Sequence, residues 1–259
     1  MNILIIGDIC GRPGRQAAAH YIPLLRQEYQ TDLIIANGEN SAGGVGITAP
    51  VMDELLNAGV DVITSGNHIW DKKEILDFID KAPRLVRPAN YPPGTPGFGY
   101  TVLTKQQVKI AVVNLAGRAF MPPIDCPFRE ADKILTAIAA QADIIIVDFH
   151  AETTSEKMAL AWYLDGRVSC LVGTHTHIQT ADERILPNGT AYITDLGMVG
   201  PWDSVLGVDK DLVINKFLTG LPAKFHLADG RNVFCAVIVK IDEATGKATA
   251  ITRIKRYLN

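Results

Sequence analysis

Asn2-Ile3-Leu4-Ile5-Ile6-Gly7-Asp8 begins as an apolar run and closes on a glycine and a carboxylate. Both faces of the run are apolar, the pattern of a strand buried on two sides rather than one with a wet face. The same arrangement recurs along the chain. Residues 32–37 run into Gly38-Glu39-Asn40, residues 61–65 into Gly66-Asn67-His68, residues 143–149 into His150, and residues 169–173 into Thr174-His175-Thr176-His177. Residues 109–114 read as a further buried strand. Between these runs, residues 14–30, 48–58, 71–81, 129–142 and 155–164 carry helical spacing and good helix formers. The alternation predicts an α/β protein around a largely parallel sheet.

The later sequence changes character. Residues 182–186 and 190–194 flank Pro187-Asn188-Gly189, whose Asn-Gly pair tolerates positive φ, and read as a hairpin. After a helix at residues 210–218, a long strand at 232–242 meets another at 247–256 across a turn at 243–246. This closing pair is expected to add a second sheet. The fold expected is a layered α/β/β/α sandwich of two mixed sheets flanked by helices, in one domain over residues 1–259. The Pro/Gly-rich residues 87–99 read as a surface loop.

Composition narrows the function. Hydrophobic residues make up 47% and charged residues 20%, enough for a sizeable core. The formal net charge of -3 argues against a protein that holds nucleic acid mainly by phosphate attraction, so no stable nucleic-acid complex is expected. Cys10, Cys126, Cys170 and Cys235 lie far apart without metal or disulfide spacing, which predicts a reducing, cytoplasmic setting. No apolar run approaches the roughly 20 residues of a membrane span. Self-association is expected on base rates for such a protein.

In an open α/β sheet, ligands gather beyond the carboxyl ends of the strands. Five strand ends thus deliver Asp8, Glu39 with Asn40, Asn67 with His68, His150, and His175 with His177 to one edge. Singly, an Asp after a strand is a cap, a loop Glu is solvated and a lone His is structural; His175-x-His177 is the more specific metal signal. Oxygen and imidazole donors together suit a divalent transition ion, and their number exceeds what one ion takes. His20 and His226 read as structural, and Trp70 and Trp202 as packing residues rather than base-stacking ones. Residues 7–15, with Gly7, Gly11 and Gly14 ahead of a helix, have the look of a phosphate-cradling loop without the spacing of a dinucleotide or Walker motif.

Taken in order, Gly7-Asp8, Gly38-Glu39-Asn40, Gly66-Asn67-His68, His150 and Gly173-Thr174-His175-Thr176-His177 resemble the motif series of the calcineurin-like metallophosphoesterases. Cys10 stands where that superfamily usually has a histidine, and Glu39 where it has a bridging aspartate. Both departures, and the strings GDICGRPGR, ANGENSAGGVGIT, TSGNHIWDKKEI and VDFHAETTSEK, are similar to the YmdB-type branch of bacterial phosphodiesterases. The resemblance implies two divalent ions per chain, iron or manganese ahead of zinc. It implies that Asp8, Glu39, Asn40 and His177 hold or adjoin the first, and Glu39, Asn67, His150 and His175 the second. It also implies hydrolysis of small phosphodiesters, above all 2′,3′-cyclic nucleotides. Cys10 reads as a packed thiol before a soft ligand.

The mechanism expected is attack by metal-bound hydroxide, with His68 beside Asn67 as general acid to the departing alkoxide; otherwise His68 orients a ligand. Competing expectations are a phosphomonoesterase, nucleotidase or nuclease using the same residues, or a nucleotide- or RNA-binding regulator with weak turnover.

Overall fold

The computed structural model describes residues 1–258. The chain starts in one sheet, crosses to a second and returns. Strands β1 (Asn2–Ile6), β2 (Asp8–Ile9), β3 (Leu33–Asn37), β4 (Val62–Thr64) and β5 (Leu85–Val86) open the first sheet. Strands β6 (Tyr100–Lys105), β7 (Val108–Ala116), β8 (Ile144–His150), β9 (Cys170–Thr174), β10 (Arg184–Ile185) and β11 (Ala191–Ile193) form the second. Strands β12 (Met198–Pro201), β13 (Asn232–Ile241) and β14 (Ala248–Leu258) complete the first.

In the first sheet the order is β2-β12-β13-β1-β3-β4-β5, with β14 also paired to β13. The run β1-β3-β4-β5 is parallel, and β13 lies antiparallel to β1. The second sheet has the order β10-β11-β9-β8-β7-β6, parallel except for the antiparallel β6–β7 pair and the β10–β11 hairpin.

Two-sided burial now has its cause. Alternate residues of a strand point to opposite faces. Ile3 and Ile5 pack with Val112, Ile146, Val172 and Val237 between the sheets. Leu4 and Ile6 pack outward with Ala17, Ile22 and Leu25 of helix α1 (Gly11–Tyr29) and Leu55 of helix α2 (Ala49–Asn57). On the far side, Ala111 and Val113 pack against helix α3 (Pro127–Ile138) and helix α4 (Thr154–Leu164). Each such isoleucine contributes about 2 kcal/mol by leaving water. The expected α/β/β/α layering is present, and helix α5 (Lys210–Thr219) stands beside it with Asp209 capping its first amides.

Three expectations need correction. The strand ends that carry the candidate ligands do not share one sheet edge: β1–β2, β3 and β4 belong to the first sheet, β8 and β9 to the second. The closing pair at 232–256 joins the first sheet as β13 and β14, because β13 pairs with β1; the second sheet is built from residues 100–193. The helix expected at 71–81 is two 3-10 turns, Lys73–Asp77 and Ile79–Lys81, broken at Phe78 (φ −134°) so that both Ile75 and Ile79 reach the core. The hairpin at Asn188-Gly189 is present, with Gly189 at φ +101°.

Gly7 and Gly14 serve packing rather than a ligand. A Cβ on Gly7 would lie 1.9 Å from the Gly197 carbonyl oxygen, and one on Gly14 would lie 2.2 Å from that of Val199. Trp70 and Trp202 pack edge-on against Tyr91 and Tyr257. Among the described residues no helix is long and apolar enough to cross a membrane, and all four cysteines are free thiols.

Candidate metal centre

The two sheets end on a common cleft. From the first sheet, Asp8 follows the β1 break at Gly7 and is fully buried. Glu39 and Asn40 sit in the turn after β3, where Asn37 Oδ1 accepts from the Glu39 amide at 3.1 Å. The Asn40 carbonyl accepts from the Gly11 amide at 2.8 Å, which ties this turn to the start of α1. Asn67 and His68 follow β4, and the His68 amide donates to Glu39 Oε2 at 3.0 Å. Gly66 makes that approach feasible: a Cβ there would lie 2.3 Å from Glu39 Oε2 and 2.4 Å from His150 Nε2. From the second sheet, His150 is the last residue of β8, and His175 and His177 follow β9 at φ +100° and +64°.

All seven candidate ligands are brought together. His150 Nε2 lies 3.1 Å from Glu39 Oε1, 3.0 Å from Asn67 Oδ1 and 3.0 Å from His175 Nδ1. Asn40 Nδ2 lies 3.1 Å from both Glu39 Oε1 and His177 Nε2. Asp8 Oδ2 accepts from the His175 amide at 3.2 Å. Glu39, His150 and His175 present ligand atoms within 4.8 Å of one another.

The back of each imidazole shows which nitrogen faces inward. His177 Nδ1 donates to the Leu206 carbonyl at 3.0 Å. His175 Nε2 donates to Glu152 at 3.1 Å. His150 Nδ1 meets Thr174 Oγ1 at 2.9 Å, and that hydroxyl gives its own proton to Asp148 at 2.7 Å. A ligating imidazole requires such an outward partner, because the tautomer is set by the nitrogen that does not bind. His150 Nε2 and His175 Nδ1 are therefore the inward nitrogens, facing each other beside the Glu39 carboxylate.

Such a crowd requires positive charge at its centre. Burial alone would lower His150, but the Glu39 charge outweighs it and holds the imidazole up at about 9. His175 is pushed down to about 3 by burial and then by the His150 charge. Burial would raise Glu39, yet His150 carries it down to about 2. His177, which burial would lower, is raised to about 10 beside Cys10 and Asp8. Asp8 is pushed up to about 7, chiefly by burial, and its Oδ1 is a buried acceptor with no hydrogen-bond partner among the described residues. Two buried carboxylates, two amides and three inward imidazole nitrogens fit divalent cations, which would satisfy Asp8 Oδ1 and separate the facing nitrogens.

His68 stands apart from the ligand set. Its Nδ1 lies 2.7 Å from Asp71 Oδ2, and the side chain is one-third exposed. It lines a cavity of about 500 Å³ together with Glu39, Asn40, His175 and His177. Leu206, Val208, Phe225, His226 and Leu227 also line it. His226 was expected to be merely structural; it is exposed and lines this cavity. Cys10 Sγ donates to the Asp8 carbonyl and lies 3.8 Å from His177 Nδ1, the outward nitrogen, so the thiol packs behind the imidazole.

The residues missed were the supports: Thr174, Asp148, Glu152 and the Leu206 carbonyl. Glu152, two places after His150, had a signal in its spacing. A backbone carbonyl has none.

A family model described as YmdB-like protein matches residues 4–254. The chain belongs to the YmdB-like family. Within it, the chain is 53% identical to the 2′,3′-cyclic-nucleotide 2′-phosphodiesterase of Bacillus subtilis, over 98% of this chain and 96% of that protein. A crystal structure titled as a novel phosphatase from Mycoplasma pneumoniae superposes with a TM-score of 0.94 at 35% identity, covering 99% of this chain and 93% of that one. A hypothetical protein from Thermus thermophilus gives 0.93 at 43% identity, covering 99% of both chains. The YmdB-like family is thus matched along almost the whole chain, with the layered fold in common.

Proposed function

We propose that this chain is a metal-dependent phosphoric diester hydrolase acting on small cyclic nucleotides, 2′,3′-cyclic monophosphates in particular. The observation that carries the reading is the meeting of Glu39, His175 and the buried His150, the first two of which line a cavity together with His68. The likeness to the B. subtilis 2′,3′-cyclic-nucleotide 2′-phosphodiesterase supports the substrate class.

Glu39, Asn67, His150 and His175 would hold one ion, and Asp8, Asn40 and His177, together with Glu39, would hold a second. The preponderance of oxygen donors supports iron or manganese ahead of zinc. When bound, the ions neutralise phosphate oxygens and make a water acidic near neutral pH. His68 gives its proton to the leaving sugar oxygen: Asp71 holds the ring by Nδ1 and leaves Nε2 available to a substrate in the cavity. Leu206, Val208, Phe225 and Leu227 form the apolar side that receives the nucleoside. The free cysteines support a cytoplasmic setting. Phe217, Leu218 and Leu221, 85%, 80% and 63% exposed on and after α5, support self-association; a monomer by sedimentation would overturn that point.

The test is metal analysis of the purified protein joined to hydrolysis of 2′,3′-cyclic nucleotides, other cyclic nucleotides, monoesters and RNA at matched metal loading. About two ions per chain, with turnover of the cyclic diesters, is expected. Activity that survives complete metal removal, or turnover confined to monoesters, would sink the reading.

A further inference from the structure

A lysine and an aspartate, with no hydrogen bond to a candidate ligand side chain among the described residues, pair beside the His175-Thr176-His177 loop. Lys157 of α4 and Asp195, which follows β11, are both fully buried and pair at 2.7 Å. Burying two charges is unfavourable unless further hydrogen bonds use their remaining capacity, so such a pair invites a reason. Asp195 Oδ2 also accepts from the amide of Thr176 at 3.1 Å and its hydroxyl at 2.8 Å. Oδ1 accepts from the Gly197 amide at 2.8 Å, and the Gly197 carbonyl accepts from the Asp8 amide at 3.0 Å. One carboxylate thereby grips the residue between two histidines and the turn that seats Asp8.

The histidines need that grip. His175 and His177 both adopt positive φ, a region L-residues avoid unless the surroundings hold them there. The lysine stem completes the brace by lying across Gly173, where a Cβ would come within 2.9 Å of Lys157 Cδ and 1.8 Å of the Thr194 oxygen.

We propose that Lys157 and Asp195 are a positioning pair for the metal centre, which holds His175, His177 and Asp8 in the geometry that binds the ions. The inference rests on the metal reading above, and its test separates the two.

Titrate metal-free protein with Co²⁺ alone, recording affinity by calorimetry and the visible absorption of the bound ion, with melting of the metal-free protein alongside. The variant is Lys157→Met with Asp195→Leu, which removes both charges together and leaves neither buried alone. The expected result is a folded protein that binds Co²⁺ about 10- to 100-fold more weakly with shifted absorption bands. Unchanged affinity and bands in that folded variant would overturn the proposal, since a merely structural pair alters melting only. Should the double variant not fold, Thr176→Val decides, because it leaves the ion pair intact. Weaker Co²⁺ binding with shifted bands supports the proposal, and wild-type affinity and bands overturn it. Wild-type protein that takes up no Co²⁺ would defeat the metal reading itself.

Discussion

The two sheets bring different chemistry to one cleft. Strands β1–β2, β3 and β4 of the first sheet lead to Asp8, Glu39, Asn40 and Asn67, all oxygen donors, whereas β8 and β9 of the second lead to His150, His175 and His177. The oxygen side is placed largely by backbone: the Glu39 turn is tied to Asn37 and to Gly11, and Asp8 to Gly197. The imidazole side is placed by partners behind each ring, namely Thr174 with Asp148, Glu152, and the Leu206 carbonyl. A carboxylate offers lone pairs however it is turned. An imidazole offers one only when its other nitrogen is committed as a donor, so nitrogen ligands need a built support.

His68 is the exception that sharpens the contrast. It is an imidazole on the oxygen side, half-open to the cavity, and its partner Asp71 is exposed, as Glu152 behind His175 is. The proton donor proposed at this position must exchange with solvent, and an exposed partner leaves the ring open to it. His68→Ala should lower kcat by about 10²- to 10⁴-fold while metal content, read by elemental analysis, stays that of the wild type. Loss of metal in that variant would place His68 on the ligand side after all.

The supports come next in size. Thr174→Val keeps the shape but removes the acceptor behind His150, and should weaken metal binding about 10- to 100-fold by calorimetry. Equal binding would mean that the imidazole needs no buried support, and the comparison between the sheets would fall.

Proton linkage gives a subtler effect. In chelated protein His150 and His177 are raised to about 9 and about 10, while in the unfolded chain they return to about 6.5. Their contribution is therefore complete below about 6.5 and is lost as the pH rises through 9 and 10. Asp8, raised to about 7, acts in the same direction, as its contribution fades between its ordinary value and 7. The melting temperature in chelator should fall from neutral to alkaline pH, and Mn²⁺ should flatten that slope by replacing the protons. A chelated profile that is level or rises across this range would contradict the assignment.

Smallest is Glu152→Gln. The Glu152 side chain is 49% exposed, so solvent takes over much of its role behind His175, and the amide oxygen still accepts. A loss of metal affinity of about threefold or less is expected by calorimetry, below the range typical of buried supports. A larger loss than that of Thr174→Val would reverse the order of the two supports.

Much of this site was legible because chemistry followed strands. A run such as Ile3–Ile6 announces two-sided burial, and the polar residue after it must lie at a strand end. Every candidate ligand was found that way, and the motif order did the rest. The same logic misled where it assumed a single sheet, since a buried strand looks alike whichever sheet it enters. β6 and β12 leave little signal, because Tyr100–Lys105 is only half-buried and Met198–Pro201 is short and ends in Gly-Pro. His226 carries no pattern as a lone histidine, and only the pairing of residues 207–209 with 226–228 brings it to the cavity wall.

Residue type and strand-end position alone thus singled out the candidate donors, their likeness to the metallophosphoesterases and the α/β layering, because donor chemistry and two-sided burial are local properties. Tertiary structure alone decided that oxygen and nitrogen donors arrive from different sheets, which imidazole nitrogen faces inward, and that Lys157 and Asp195 pair beside the loop. Those depend on partners distant in the chain: Thr176 reaches Asp195 across 19 positions, and His175 reaches Asp8 across 167. No local pattern can encode a contact whose other half is set by how two sheets pack.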